Sequence, residues 1–383
     1  MLPFDFQLRT RIVFGPDKID LLGELASELG ARRALMISDP GVIAAGHVER
    51  GLAALRRAGI ETHIFDGVRE NPTTEEVDAG VALARRYDPE LLIGFGGGSA
   101  MDCAKGINFL FSNGGQMQDY WGVGKALRPM LPMIAVPTTS GTGSETQSFA
   151  LISDAQTHVK MACGDKKASC RIALLDPKLT LTQPPRVTAL TGIDAISHAL
   201  ETYVTKRRNP VSLLYSLEAW RLLAPNFARV IDEPGNLAAR MAMQLGACYA
   251  GIAIENSMLG AAHALANPLT ATYDIAHGEA IGLMLPHVIR FNAEEFGGWY
   301  RELIGAVAGQ DAALHSASTP DDLAAFVAGL ASQAKLRSTL NAAGVERPRV
   351  DQLAAEAAKQ WTGTFNPRPL SEAQFAAIYA AAF

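Results

Sequence analysis

LLIGFGGGSAMDCAKG, residues 91–106, opens as an aliphatic run, passes through Gly96, Gly97 and Gly98, and continues in residues that favour a helix. Such a run, without polar interruption, suits a strand buried on both faces, and the glycines permit a tight reversal into the helix. Strands covered on both faces belong to parallel sheets flanked by helices, so this segment points to a doubly wound α/β domain.

The surrounding chain repeats the same unit. Short β-branched or aliphatic runs at 11–15, 34–39, 62–68, 133–140 and 171–177 alternate with amphipathic stretches such as 21–30, 48–59 and 74–87. The alternation predicts strands joined by crossover helices. After Gln183-Pro184-Pro185 the texture changes to Ala- and Leu-rich segments with few β-branched runs. Helices are expected at 187–204, 211–224, 236–259, 278–291, 300–309, 320–334 and 371–382. The chain has 383 residues, more than an average domain, and the proline pair marks a boundary between residues 1–184 and 185–383. The expected architecture is an α/β domain followed by an all-α domain.

Composition narrows the partners. With 48% apolar residues and a formal charge of -5, the chain is expected to build ample core. It carries no Lys/Arg-rich block, which argues against nucleic acid or a membrane as principal partner and favours a small molecule. No stretch resembles a signal peptide or a membrane span, and the four cysteines form no CxxC pair. A reducing, cytoplasmic location with free thiols is the expectation.

Three strand ends carry candidate ligand chemistry. In GFGGGS the amides of Gly97, Gly98 and Ser99 open a helix and suit a phosphate; the alternative is a tight turn needing glycine. The segment departs from G-x-G-x-x-G, because Ser99 stands where the third glycine should be. VPTTSGTGSE (136–145) adds the hydroxyls of Thr138, Thr139, Ser140 and Thr142. ISDPG (37–41) places Asp39 where a carboxylate would bind a ribose hydroxyl and repel a 2′-phosphate, preferring NAD over NADP; its alternative is a helix N-cap.

A second constellation lies beyond residue 184. Asp194 and His198 in TGIDAISHALETYV (191–204) are one helical turn apart on one face, and His263 and His277 add imidazoles from later segments. One carboxylate with three imidazoles suits Fe²⁺ or Zn²⁺. A single histidine is more often structural, but Asp194, His198 and His263 occur in Ala-rich helices where an unpartnered polar group is costly. His47, His63, His158, His287 and His315 lack this pairing and read as surface or structural residues.

With GGGSAMDCAKG, VPTTSGTGSE, LLDP (174–177), TGIDAISHALETYV, AAHALANPL (261–269), AHGEAIGLMLPHV (276–288) and NPRP (366–369) in that order, the chain resembles the iron-containing (group III) alcohol dehydrogenases. The resemblance implies a Rossmann-like dinucleotide-binding domain, an all-helical metal-binding domain, and NAD and Fe²⁺ in the cleft between them. It implies Asp194, His198, His263 and His277 as metal ligands acting catalytically through the ion. Cofactor contacts are implied at Asp39, Asn71, Gly97, Gly98, Ser99, Asp102, Thr138, Thr139, Thr142 and Lys160. It further implies hydride transfer with a small alcohol or aldehyde, and a homodimer or larger homo-oligomer.

The chief departure is Asn267, where many relatives have a histidine given a proton-relay role. An asparagine does not titrate near neutral pH. Glycerol dehydrogenase, maleylacetate reductase and dehydroquinate synthase share the scaffold and stand as alternative activities, as does a non-catalytic NAD- or metal-binding protein. Phe149, Ile254, Leu259 and Trp361 read either as an apolar pocket or as core.

Overall fold

In the computed structural model of the chain, residues 3–310, 314 and 317–383 are described, so His315 lies outside them. The chain divides into two compact units. One comprises residues 7–139 and 143–183, the other 3–6, 140–142 and 184–383.

The first unit contains the strands β1 (Arg11–Phe14), β2 (Arg33–Ile37), β3 (Glu61–Phe65), β4 (Leu91–Gly96), β5 (Gly122–Val123), β6 (Met133–Pro137), β7 (Phe149–Ser153), β8 (Lys160–Gly164) and β9 (Ile172–Leu175). Its helices are α1 (Leu22–Glu28), α2 (Pro40–Ala44), α3 (His47–Arg57), α4 (Thr74–Tyr87) and α5 (Gly98–Asn113). Six strands form a sheet in the order β1-β9-β6-β4-β2-β3, paired in parallel throughout. The strand period of two divides its side chains between two cores. Leu35, Ile37 and Leu92 pack on one side, and Ala34, Met36, Leu91, Ile93 and Phe95 on the other.

Chain order reverses direction at β2. β3 lies on one side of it and β4 on the other, after which β6 and β9 continue outward. The gap beyond the carboxyl ends of β2 and β4 is therefore the switch point at which sheets of this type bind ligands.

All six expected strands are present, each ending short of its sequence-based limit because the last residues leave the sheet for the connecting loop. A second sheet, in the order β5-β8-β7, was not anticipated. Its strands lack intervening helices, and β5 has two residues, too few for a periodic signal.

The second unit is helical: α6 (Pro185–Val204), α7 (Pro210–Asp232), α8 (Leu237–Asn256), α9 (Ala261–Tyr273), α10 (His277–Val307), α11 (Pro320–Gln333), α12 (Val350–Ala357) and α13 (Glu372–Ala381). Trp220, Phe227, Tyr300 and Tyr379 anchor one continuous core. The expected helices at 278–291 and 300–309 are one element, α10, kinked at Phe296 (φ −116°, ψ 23°). Helix α7 runs past its expected end through Pro225, and α9, the helix expected around His263, runs through Pro268. Pro225 marked the expected end of α7, yet tertiary burial maintains both helices across their prolines. Helix α8 is long and apolar enough to cross a membrane, but 67% of its apolar window is buried in this unit, which accounts for that composition.

Candidate metal centre and nucleotide loops

Three helices converge on the proposed ligands. Helix α6, opened by Pro184 and Pro185, is buried from Gly192 to Val204 and carries Asp194 and His198 on one face. His263 is the third residue of α9. His277, just before the helix expected at 278–291, is the first residue of α10.

Asp194 Oδ1 lies 3.2 Å from His198 Nε2, 3.5 Å from His263 Nε2 and 3.8 Å from His277 Nε2. His198 Nε2 and His263 Nε2 are 3.1 Å apart. Ligand atoms of Asp194, His263 and His277 all fall within 4.8 Å of one another, and His198 joins the group through Asp194 and His263. Bonds of about 2.0–2.1 Å from a tetrahedral ion give ligand–ligand edges of about 3.3 Å. The observed separations bracket that edge, so these residues fit a small divalent cation. Asp194 Oδ1, moreover, is buried without a hydrogen-bond donor among the described residues. A buried carboxylate oxygen facing imidazole nitrogens is what a cation would satisfy.

The carboxylates of Asp194 and Glu201 favour positive charge at this position, whether a proton on His263 or a cation. Burial alone would raise the Asp194 carboxyl, but His198, His263 and His277 outweigh it and hold it well below the ordinary carboxylate range. Burial likewise opposes charge on His263, yet Glu201 and Asp194 prevail and raise it to about 9. His198, dominated by burial, is lowered, which favours the neutral ring that ligates.

The start of α10 is fixed from two sides. A Cβ at Gly278 would stand 2.1 Å from the Leu190 carbonyl oxygen, so glycine is required for α10 to approach α6. Glu279, 1% exposed, receives Arg337 Nη2 at 2.6 Å and Arg186 Nη2 at 3.0 Å. Arg337 first, then its other partners, outweighs burial and lowers the Glu279 carboxyl to about 2.

In the α/β unit, candidate cofactor residues gather at the carboxyl ends of three adjacent strands. Gly97 caps α5 without contributing a side-chain acceptor, leaving the first-turn amides for an anion. A Cβ at Gly97 would approach Thr139 Cγ2 at 3.3 Å, and Thr138 N–H donates to the Gly96 carbonyl at 2.9 Å, so the β4 and β6 loops are neighbours. Gly96 has φ 155°, and a side chain there would meet Ala100 Cβ at 2.8 Å and Asp39 Oδ2 at 3.1 Å. Asp39 Oδ1 accepts from Val42 N–H at 3.0 Å; it is the N-cap of α2 as well as a candidate ribose ligand.

Asn71, Ser99 and Lys160 come from three distant segments and meet here. Lys160 Nζ donates to Asn71 Oδ1 at 3.2 Å, and Asn71 N–H donates to Ser99 Oγ at 3.3 Å. Asp102, further along α5, accepts from Ser144 Oγ at 2.6 Å and lies 3.9 Å from Lys105 Nζ, and burial raises its carboxyl. Thr142 falls in the helical unit, in a segment whose Gly141 abuts Thr191 of α6.

The family model for iron-containing alcohol dehydrogenase matches residues 9–177, and that for the C-terminal region of the Fe-containing alcohol dehydrogenase family matches 188–383. The chain belongs to the iron-containing alcohol dehydrogenase family. It is 34% identical to 1,3-propanediol dehydrogenase of Klebsiella pneumoniae, covering 99% of each chain. A crystal structure of 1,3-propanediol oxidoreductase superposes with a TM-score of 0.93 at 34% identity, covering 100% of both chains. Sulfoacetaldehyde reductase of Bifidobacterium kashiwanohense, solved in complex with NAD+, gives 0.90 at 26% identity over 100% of this chain and 99% of that one.

The chain is accordingly a metal-dependent oxidoreductase of the alcohol dehydrogenase type, and the lyase and non-catalytic alternatives are not favoured. The family's departure, Asn267, donates through Nδ2 to Gln360 Oε1 at 2.9 Å. Trp361 is 41% exposed and so is not core, whereas Ile254 is. The four cysteines form no disulfide and are buried; burial pushes the Cys163 thiol up to about 12 and Cys170 to about 11, which suits no nucleophilic role.

Sequence reading missed Glu201, Gly278, Glu279 and Asn366 around the centre. Glu201 follows Asp194 and His198 at i, i+4, i+7, the spacing of a single helical face, and that signal was available. Nothing in sequence would have tied Asn366 to α9; the link, from Ala261 N–H to its side chain, spans over a hundred residues.

Proposed function

We propose that the chain is an NAD-dependent alcohol dehydrogenase in which Asp194, His198, His263 and His277 hold Fe²⁺, with Zn²⁺ as the alternative ion. The observation that carries this reading is the convergence of three imidazole nitrogens, from His198, His263 and His277, within 3.2–3.8 Å of Asp194 Oδ1, a buried carboxylate oxygen without a hydrogen-bond donor among the described residues. Its substrate class is a small primary or secondary alcohol and the corresponding aldehyde or ketone. The named substrate of the propanediol relatives makes short diols the first compounds to test.

Bound at these residues, a divalent ion supplies Lewis acidity, lowering the pKa of an alcohol or polarising a carbonyl. NAD held at the strand ends would supply a hydride acceptor. Around them, the protein's residues bind and orient. The amides of Gly97, Gly98 and Ser99 receive the pyrophosphate, and the hydroxyls of Thr138, Thr139 and Thr142 add polar contacts. Asn71, Lys160 and Asp102 hold the cofactor, and Asp39 receives the adenosine ribose and disfavours a 2′-phosphate. Asn267 cannot hold and pass a proton at neutral pH, so no relay runs through its side chain.

The chain's four buried cysteines, which form no disulfide, support a cytoplasmic setting. Strand β1, an edge of the large sheet with one open side, supports assembly into a homodimer or larger homo-oligomer.

Metal analysis of protein purified without oxygen, combined with NADH and NADPH oxidation over a panel of aldehydes and ketones, tests the proposal. One Fe²⁺ or Zn²⁺ per chain is expected, with NADH preferred and activity lost in His263→Ala and His277→Ala. Undiminished turnover by metal-free protein would remove the ligand assignment.

A further inference from the structure

Helix α9 brings His263 to the centre, yet its N-cap, Gly260, contributes no side-chain hydrogen bond. The exposed amides of a helix start need acceptors, and when buried they must find them elsewhere. Here they are supplied by remote side chains. Ala261 N–H donates to Asn366 Oδ1 at 3.4 Å, and Ala262 N–H donates to Glu201 Oε1 at 2.7 Å. The other oxygen of the same carboxylate, Oε2, lies 2.5 Å from His263 Nδ1. Glu201 is 3% exposed and stands on α6, the helix that carries Asp194 and His198. A Cβ at Gly260 would come within 3.1 Å of Glu201 Oε1, so the turn before α9 leaves room for this carboxylate.

The hydrogen-bond inventory decides what Glu201 does. Ala262 N–H can only donate. For His263 to present its Nε2 lone pair toward Asp194 and His198, its proton must reside on Nδ1, which then also donates. Two donors converge on one side chain, and a carboxylate alone among side chains of this length offers two acceptors and no donor. We propose that Glu201 is the positioning residue of the metal centre, fixing the His263 proton on Nδ1 and docking α9 through the same carboxylate. The inference rests on the reading of His263 as a metal ligand.

Glutamine at 201 has the same shape but one acceptor. Because Ala262 N–H is a fixed donor, the amide oxygen turns to it and the NH₂ group faces His263 Nδ1. That pairing draws the ring proton to Nε2, where it blocks ligation. Loss of such an outer hydrogen bond costs roughly 10–100-fold in metal affinity.

The test is chelator competition for Zn²⁺ on wild type, Glu201→Gln, His263→Ala and the double variant, with thermal unfolding of each metal-free protein measured alongside. Expected are Zn²⁺ affinity weaker by roughly 10–100-fold in Glu201→Gln and no further loss when Glu201→Gln is added to His263→Ala. An unchanged affinity in Glu201→Gln overturns the proposal. So does an equal loss in both backgrounds, which would make Glu201 a support of α9 alone. Equal Zn²⁺ affinity in wild type and His263→Ala would instead refute the underlying ligand assignment. Should Glu201→Gln not fold, the long-range ¹H–¹⁵N spectrum of the Zn²⁺-loaded wild type decides: a proton on His263 Nδ1 supports the proposal, and one on Nε2 overturns it.

Discussion

Adding one carbon at Gly278 tests how the centre is held together. A Cβ there would stand 2.1 Å from Leu190 O, 2.7 Å from Leu190 C and 3.0 Å from Leu190 Cα, all backbone atoms of α6. Since comfortable carbon–oxygen contacts begin at about 3.3 Å, α6 and α10 must separate locally by about 1 Å. No flexible side chain can absorb the displacement. Asp194 lies one turn beyond Leu190, and His277 immediately precedes Gly278, so either helix moves a ligand. Metal–ligand distances tolerate about 0.2 Å, and a misplacement of about 1 Å costs on the order of 10²-fold in rate. Gly278→Ala is therefore expected to lose about 100-fold in kcat/KM, to bind Zn²⁺ more weakly in chelator competition, and to be destabilised by about 1–3 kcal/mol. Gly298→Ala, on the same helix where an added Cβ meets nothing within 4 Å, is the control, expected to gain about 0.5–1 kcal/mol. If Gly278→Ala retains wild-type metal affinity and kcat/KM, the claim that Leu190 and Gly278 set the ligand spacing is refuted.

Three further outcomes follow from other residues. Asp39→Asn keeps an N-cap acceptor for Val42 N–H but removes the charge, so NADPH use relative to NADH should rise by roughly 10-fold or more; unchanged cofactor preference would reduce Asp39 to a cap. Glu279, lowered to about 2 from 4.5 chiefly by Arg337, stabilises the fold fully above about pH 4.5 and loses that contribution as pH falls toward 2. Because Arg337 and Arg186 are 38% and 59% exposed, the contribution is about 1–2 kcal/mol, and Glu279→Gln should flatten acid unfolding in that window while lowering stability at neutral pH. Asn267→His should add a limb near pH 6.5 to the kcat profile, and a profile superimposable on wild type would show that position 267 is remote from the proton path.

Legibility in the sequence tracked how local each determinant is. The strands of the large sheet were readable because burial on both faces leaves continuous aliphatic runs, as in Leu91–Gly96. Asp194 and His198 were readable as a pair because a helix converts a spacing of four into proximity. His263 and His277 were joined to them by ligand chemistry, as imidazoles completing a one-carboxylate set, since no local rule brings α9 and α10 to α6. Helix α7 was ended too early at Pro225, where tertiary packing overrides a local stop signal. The residues that hold the ligands in place were the least legible. Glu201 acts on α9, Asn366 on the same helix start and Gly278 on the backbone of α6, and each is defined by a contact whose partner is distant in sequence.

Charge balance explains why the supporting residue at α9 is a carboxylate. Two helices begin at the centre, and helix starts carry partial positive charge that disfavours a nearby cation. With imidazoles neutral, Asp194 alone would leave a buried divalent ion with an uncompensated positive charge, a costly arrangement away from water. Glu201, 3% exposed and bonded to both Ala262 N–H and His263 Nδ1, supplies the second negative charge and cancels part of the α9 dipole. Glu279 cannot serve the same purpose, because Arg186 and Arg337 already neutralise it; it anchors α10 instead. The proposed centre would thus pair a divalent ion with two buried carboxylates, one facing the metal position and one acting through an imidazole.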